Sequence, residues 1–535
     1  MISISRAEDS SSTGTQSLWS RARARPIPFW AVLALVVVLG LALAAPTLRL
    51  GLVVDEPYTA DTAHLSWTAM WAQLYRDSPD PLIYVLLNLW TRVAGEGALA
   101  LRAPSLVFFA LTIWVTGQLA RQLGGAWAGV VAALLVAVSN IGVTFAARAR
   151  PYELLALCAV VSAYLGCTLL ELFGPARHRL LLAVALAGVY VVSVLTHPVF
   201  VFYALGLTLA GLWCSPRQLA WLAGAGAAAA AVYLLLMLPV LRVVLPLPTT
   251  AWLQPPHWRD VLAGLTQLWS ELSAGLLVLA LVILLVARIG RVRSLLRQPP
   301  TRVFLTLLIV TCVSLLAVSR WVKPIYFAPR TSILWLPATS VLVALLLAGL
   351  DHARWITRLA LAAIIGQAVA AMAPVWANPA QDPAQAIIAA IAPDLRCADR
   401  IVAGGLAYDE VAYYLRQDGF GGCLEISTFP ANTILHPGWL DLPRSDILAA
   451  EAAQVAASLK AEPDVPVWFF YSGIAQPSND ALKAELDRSL GQPQERVRAS
   501  SSVWINRVYV YLPRSQTGST NLPARLTTTN PLAHS

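Results

Sequence analysis

Of the 535 residues, 58% are hydrophobic and 13% charged, and the mean hydropathy is +0.64, well beyond the roughly half-apolar, quarter-charged makeup of an average soluble domain. A soluble core cannot account for that, so the chain is read as a membrane protein. The net charge of +9 comes mostly from arginines between apolar stretches, which orient the chain and meet anionic lipid; no basic run interleaved with aromatics occurs in a polar segment, which argues against nucleic acid as a partner.

In chain order, residues 1–28 form a polar, disordered cytoplasmic segment with Arg21, Arg23 and Arg25. The uncharged stretch at 29–48 has the roughly 20-residue length that crosses a hydrocarbon core. It does not read as a cleaved leader: the apolar run is too long, the polar lead too extended, and Ala44-Ala45-Pro46 a poor cleavage site. Next comes Gly51-Leu52-Val53-Val54-Asp55-Glu56-Pro57-Tyr58, two adjacent carboxylates where a helix leaves the bilayer. Acids at such a place are either solvated loop residues or a site.

Further spans are expected at 103–120, 126–145, 152–172, 179–196, 198–213, 218–242, 264–288, 303–319, 331–350 and 355–375, eleven with the first. The piece at 81–95 is too short to span, carries Asn88 and Arg92, and reads as re-entrant or interfacial. Charge parity supports leaving it out. The N-terminal arginines and the acid-free loop with Arg291, Arg293, Arg297 and Arg302 both belong inside, so an even number of crossings separates them. The outer set is then residues 49–102, the Arg148-Ala149-Arg150-Pro151-Tyr152-Glu153 turn, Thr196-His197-Pro198, the loop at 243–262, and 319–330.

The last span exits outward into residues 379–513, where β-prone runs (400–403, 424–429, 465–471, 503–512) alternate with helix-like ones (408–417, 445–460, 478–490), the pattern of a layered α/β domain. It has no phosphate-binding glycine loop and is assigned no catalytic role. Residues 514–535, rich in Ser, Thr, Asn and Pro, read as a disordered tail. Cys158, Cys167, Cys214 and Cys312 lie in apolar segments as small buried hydrophobes. Cys397 and Cys423, in the polar part, are expected to form a disulfide if that part faces an oxidising compartment, and no ligand spacing for a metal is seen.

The outer face thus gathers acids from the first loop and bases from later ones. An Arg or Lys at a membrane boundary suits a phosphate at headgroup depth, through charge-assisted and often bidentate hydrogen bonds. Positive charge is normally disfavoured in short outside loops, which singles out Arg148, Arg150, Lys323 and Arg330.

Asp55-Glu56 after the first span, Pro81-Leu82-Ile83-Tyr84, Leu89-Trp90, Leu101-Arg102-Ala103-Pro104-Ser105 and Ala147-Arg148-Ala149-Arg150-Pro151-Tyr152 together resemble the membrane glycosyltransferases of the GT-C fold. The likeness is to the glycosyltransferase family 39-like branch containing the protein O-mannosyltransferases, the lipid A aminoarabinose transferase and the bacterial RgtA/B/C/D-like sugar transferases, over residues 29–375. Where relatives often have His-Pro-Pro or Lys-Pro-Pro, this chain has Asp80-Pro81-Leu82.

The resemblance implies a polytopic all-α transmembrane domain at 29–378 that moves a sugar from a polyprenyl-phosphate donor to a hydroxyl of a glycan, lipid or protein acceptor. The site would lie on the outer, periplasmic or extracellular, side of the cytoplasmic membrane. Asp55 is then the base that takes the acceptor proton in an inverting transfer, with Glu56 beside it. Arg148, Arg150, Lys323 and Arg330 bind the donor phosphate and stabilise its developing charge. Tyr84, Glu153, His197, Trp252 and His257 are candidates for substrate contact. Many relatives place a second acid just after the third span; Glu153 takes that place or pairs with Arg150. The aromatics Trp252, Trp258, Trp321 and Tyr326 belong to an interfacial belt or stack on sugar. No cofactor is certain, and a divalent metal is left open. The alternative from another class is a transporter or flippase of a lipid-linked sugar, although such proteins bind near the bilayer midplane between internal repeats.

Overall fold

The computed structural model describes residues 28–52, 55–77, 80–214, 216–244, 253–351, 354–377, 383–431, 445–462, 464–473, 476–499, 505–513 and 526–528. The first apolar run forms α1 (Phe29–Ala44), continued as a 3-10 turn to Arg49 where Pro46 enters. Three short helices follow before the next long one, α2 (Asp55–His64), α3 (Trp67–Asp77) and α4 (Leu82–Ala94). The segment expected not to span is α4: it turns Ile83, Tyr84, Leu87, Asn88 and Thr91 inward and leaves Leu89 and Val93 exposed.

The next two expected spans appear as one long element, α5 (Ala98–Ala137), broken at Gly125, whose φ of 82° only glycine adopts without strain. Gly129 lets its two limbs pack closely, since a Cβ there would sit 2.7 Å from the Gly117 carbonyl oxygen. The second limb stops short of the expected end because Ser139 caps a separate helix, α6 (Asn140–Ala146), accepting from the Gly142 N–H at 2.8 Å. Then come α7 (Tyr152–Leu169), α8 (Arg179–Thr196), α9 (Phe200–Ala210), α10 (Pro216–Val244), α11 (Trp258–Thr266) and α12 (Glu271–Ala287). A 106° bend leads into the arginine-rich α13 (Ile289–Arg297), followed by α14 (Pro299–Trp321), α15 (Leu336–Leu350) and α16 (Trp355–Ala377).

Among the described residues, eight helices are individually long and apolar enough to cross a membrane. Dividing α5 at Gly125 and adding Phe200–Trp213 and Glu271–Ala287 brings the set to the eleven of the sequence reading. The fold is thus a polytopic helical body with a C-terminal α/β domain.

That domain opens with α17 (Pro383–Ile391) and holds a mixed sheet in the order β2-β1-β3-β5-β4-β6. The strands are β1 (Arg400–Gly404), β2 (Glu425–Phe429), β3 (Val467–Ser472), β4 (Gln494–Ala499), β5 (Ile505–Tyr511) and β6 (Leu526–Thr528). β1 pairs in parallel with β2 and β3, with Ile401 opposite both Ile426 and Trp468, while β3 and β5 run antiparallel with Phe469 opposite Tyr509. α18 (Tyr408–Leu415) lies on one face; α19 (Ser445–Lys460) and α20 (Gln476–Leu490) cover the other.

The polar run Gln494–Ala499, to which the sequence assigns no element, is a strand, held by its pairing with β5 and β6 rather than by apolar alternation. Part of the expected tail, Leu526–Thr528, is the edge strand β6. Cys397 and Cys423 are disulfide-bonded, with Cα atoms 4.8 Å apart, tying the chain before β1 to the chain before β2.

Successive side chains of a strand face opposite sides, and in β3 both sides are buried. Val467, Phe469 and Tyr471 pack under α19 and α20. Trp468 and Phe470 pack with Ile387, Ile388 and Val411 into a core that also contains Leu52, Met70, Leu74, Ile83 and Leu87 of the first outer segment. The C-terminal domain and residues 52–101 therefore share one apolar core, although the sequence places them in separate domains.

Candidate active site

The shared core carries α2 with Asp55 at its first position. The neighbouring carboxylate, Glu56, is 1% exposed. Arg102, itself 1% exposed, donates from Nε to Glu56 Oε1 at 2.9 Å and from Nη2 to Oε2 at 2.7 Å. Its remaining donors reach the carbonyls of Leu50 (2.6 Å) and Gly51 (2.8 Å). A buried charge is tolerated when paired and fully hydrogen-bonded, and this pair meets that condition by tying the end of the first span to the start of α5.

Glu56 also fixes the Arg-Ala-Arg turn. The Ala149 N–H donates to Glu56 Oε1 at 2.8 Å, and Arg148 Nη1 lies 3.6 Å from Oε2. From the other side the Ser105 hydroxyl donates to the Arg148 carbonyl at 2.6 Å. Arg150 is thereby aimed along α2, donating to Thr59 Oγ1 at 2.8 Å and standing 3.8 Å from Asp55 Oδ2. Burial opposes its charge, but Asp55 with Tyr84 and Tyr152 more than offsets this, so its pKa stands well above the usual guanidinium value. Its Nε is buried without a hydrogen-bond partner among the described residues.

Asp55 is partly exposed, and its Oδ2 is held by Arg330 Nη2 at 2.6 Å. Arg330 arrives on the segment between α14 and α15, with its guanidinium 5.1 Å from the Phe327 ring centroid. Lys323 precedes it on that segment and is partly buried. His197, at the C-terminal end of α8, has its pKa pushed down to about 4 by burial and by Arg150 and Arg330. It is neutral at pH 7, in keeping with the Val199 N–H donating to its Nδ1 at 3.4 Å. Tyr84 packs edge-on against Tyr58, ring centroids 6.1 Å apart.

The structure thus brings together Asp55, Glu56, Arg148, Arg150, Arg330, Tyr84 and His197. Glu153 lies in the first turn of α7, 1% exposed, and neither carboxylate oxygen has a hydrogen-bond partner among the described residues. Pairing with Arg150, one of its two sequence readings, is not what it does. His257 is exposed at the start of α11, where its N–H donates to Asp260 Oδ2 at 2.7 Å. Trp252 lies outside the described residues. Among the described residues, no group of three or more His, Cys, Asp or Glu side chains is placed to hold a metal ion. Arg102 was part of a motif without a role; an arginine in the second turn of an apolar helix demands a buried counter-ion, and that signal points to Glu56.

Helices of membrane-spanning length with a carboxylate-arginine cluster where they meet a C-terminal α/β domain give the chain the GT-C fold, as the sequence resemblance implies. Residues 77–244 match the family model described as dolichyl-phosphate-mannose-protein mannosyltransferase. The chain is similar to ArnT from Cupriavidus metallidurans bound to undecaprenyl phosphate, with a TM-score of 0.58 at 14% identity over 92% of this chain and 98% of that one. The same protein in the apo state gives 0.57 at 14% identity with the same coverage. No curated protein matches the chain by sequence.

Proposed function

We propose that the protein is a membrane glycosyltransferase that moves a sugar from a polyprenyl-phosphate donor to an acceptor hydroxyl at the outer face of the cytoplasmic membrane, with inversion at the sugar carbon. The observation that carries this is the Asp55 carboxylate held between Arg330 and Arg150 at one end of the helices. Such a cluster supplies both halves of the reaction: a base for the acceptor proton and fixed cations for the departing phosphate. Without substrate, Arg330 occupies Asp55 Oδ2. A donor phosphate competing for that guanidinium releases the oxygen, so donor binding and unmasking of the base are one event. The unpaired Nε of Arg150 is a further donor for the phosphate, and Arg148 flanks it. A flippase would place its polar groups near the midplane, whereas these converge at one end of the helices.

The test is reconstitution in liposomes with a radiolabelled sugar on polyprenyl phosphate and membranes as acceptor source. Label should pass to acceptor; label that crosses the bilayer still attached to its lipid would mark a flippase instead. The side of the membrane is checked by labelling a cysteine at Ser445→Cys in α19 with an impermeant reagent on intact cells. Outer labelling is expected, and protection until the membrane is breached would reverse the topology.

A further inference from the structure

The sequence gives the C-terminal domain no part in catalysis, yet α18 and the turn after it reach both flanks of Asp55. The Tyr414 hydroxyl, buried, donates to the Leu52 carbonyl at 3.0 Å, three residues ahead of Asp55. Arg416 Nη2 pairs with Asp61 Oδ1 at 2.5 Å, and its Nε lies 3.4 Å from Glu96 Oε2. The Tyr413 hydroxyl donates to the Glu96 carbonyl at 3.1 Å, and His64 Nδ1 meets Glu96 Oε1 at 2.6 Å. Asp55 and Asp61 are six residues apart on α2, about 9 Å at 1.5 Å per residue. The membrane body grips the opposite side of α2 through Arg102 on Glu56 and Arg150 on Thr59.

We propose that Tyr414 and Arg416 are positioning residues for the transfer reaction: they hold α2 from the side of the C-terminal domain and so set where the Asp55 carboxylate stands relative to Arg330 and Arg150. This rests on the glycosyltransferase reading of the site. A helix gripped at one flank only is free to tilt, and a misplacement of about 1 Å at a reacting group lowers turnover by up to ~100-fold. The arginines stand on the turn between α6 and α7 and on the segment between α14 and α15 and meet α2 only through their side chains, so displacement of α2 falls more on kcat than on KM for the donor.

The latch also has a pH signature. Burial raises the pKa of Asp61 to about 6, against the lowering influence of Arg416 and His64, with Glu96 adding to the rise; Tyr408 and Tyr413 of α18 also face it. At pH 7 Asp61 is mostly ionised and its charge is met by Arg416. Removing Arg416 leaves that charge buried and uncompensated, a defect that protonation relieves as the pH falls.

The experiment compares the wild type with Arg416→Ala, Arg416→Lys and Tyr414→Phe in liposomes, using the radiolabelled polyprenyl-phosphate sugar as probe. Arg416→Ala should lower kcat roughly 10- to 100-fold at pH 7.5 with donor KM within about 2-fold, and the deficit relative to wild type should shrink toward pH 5.5. Arg416→Lys should recover part of the loss. Tyr414→Phe keeps the ring packing and removes only the hydroxyl, so it should lower kcat roughly 2- to 10-fold, and with the Lys variant it carries the test if the Ala variant does not fold. Unchanged kcat in these variants, or equal changes in kcat and KM with no pH dependence, overturns the proposal alone. A wild type that transfers no sugar overturns the reading of the site and this proposal with it.

Discussion

Asp55→Asn lowers sugar transfer at least ~100-fold while the lipid donor still binds, because the amide keeps the size and hydrogen-bonding reach of the carboxylate but takes no proton. Arg330 then loses the carboxylate that competes with the donor phosphate, so donor affinity should hold or rise. Arg148→Ala is expected to behave differently: the loss of a charge-assisted contact, worth roughly 1.5 to 3 kcal/mol, should weaken donor binding along with turnover. Equilibrium binding of the labelled donor beside single-turnover transfer separates the two patterns. Near-wild-type transfer by a correctly inserted Asp55→Asn protein would remove Asp55 from its role and leave the fold without the mechanism.

Glu56→Gln damages the architecture more than the chemistry. It removes one charge of a pair in which both partners are 1% exposed and leaves the Arg102 guanidinium uncompensated, a change that costs about 3–5 kcal/mol. The expected result is a lower thermal midpoint and faster proteolysis of the outer segment. Adding Arg102→Met to Glu56→Gln should recover part of the stability, since no lone charge then remains, but not the activity, since the Leu50 and Gly51 carbonyls lose the donors that tie the end of the first span to α5. A Glu56→Gln single variant as stable as wild type would show that the pair does not anchor the site.

The spans and the Asp-Glu pair were legible in the sequence because the bilayer imposes length and apolarity, and because an acid beside a span is conspicuous. The division of labour within the pair was not. Adjacent helical residues point about 100° apart, so Asp55 faces Arg330 while Glu56 faces Arg102, and only the placement of Arg102 on α5 beside α2 decides which is which. Arg148, Arg150 and Arg330 were found through their place at outer helix ends. Arg416 and Tyr414 were not, since the contacts that give them a role cross more than 350 residues of chain. β4 escaped because QERVRA carries three charges in six residues and is a strand only through its neighbours.

The core shared by the first outer segment and the C-terminal domain has a consequence for how the protein is made. Met70, Leu74, Ile83 and Leu87 are synthesised early, but the residues that cover them, Ile387, Ile388, Val411, Trp468 and Phe470, come last. Leu52 and Tyr414 are 362 residues apart, an interval of about 20 to 70 s at ordinary synthesis rates. Through that interval the segment bearing Asp55 and Glu56 stands with its apolar face uncovered, to be held by the membrane surface or by a chaperone, and the cluster of carboxylates and arginines is assembled only when the end of the chain arrives. A chain that stops before α18 carries Asp55, Glu56 and the arginines around them but lacks the part of the fold that holds the Leu52 carbonyl and Asp61.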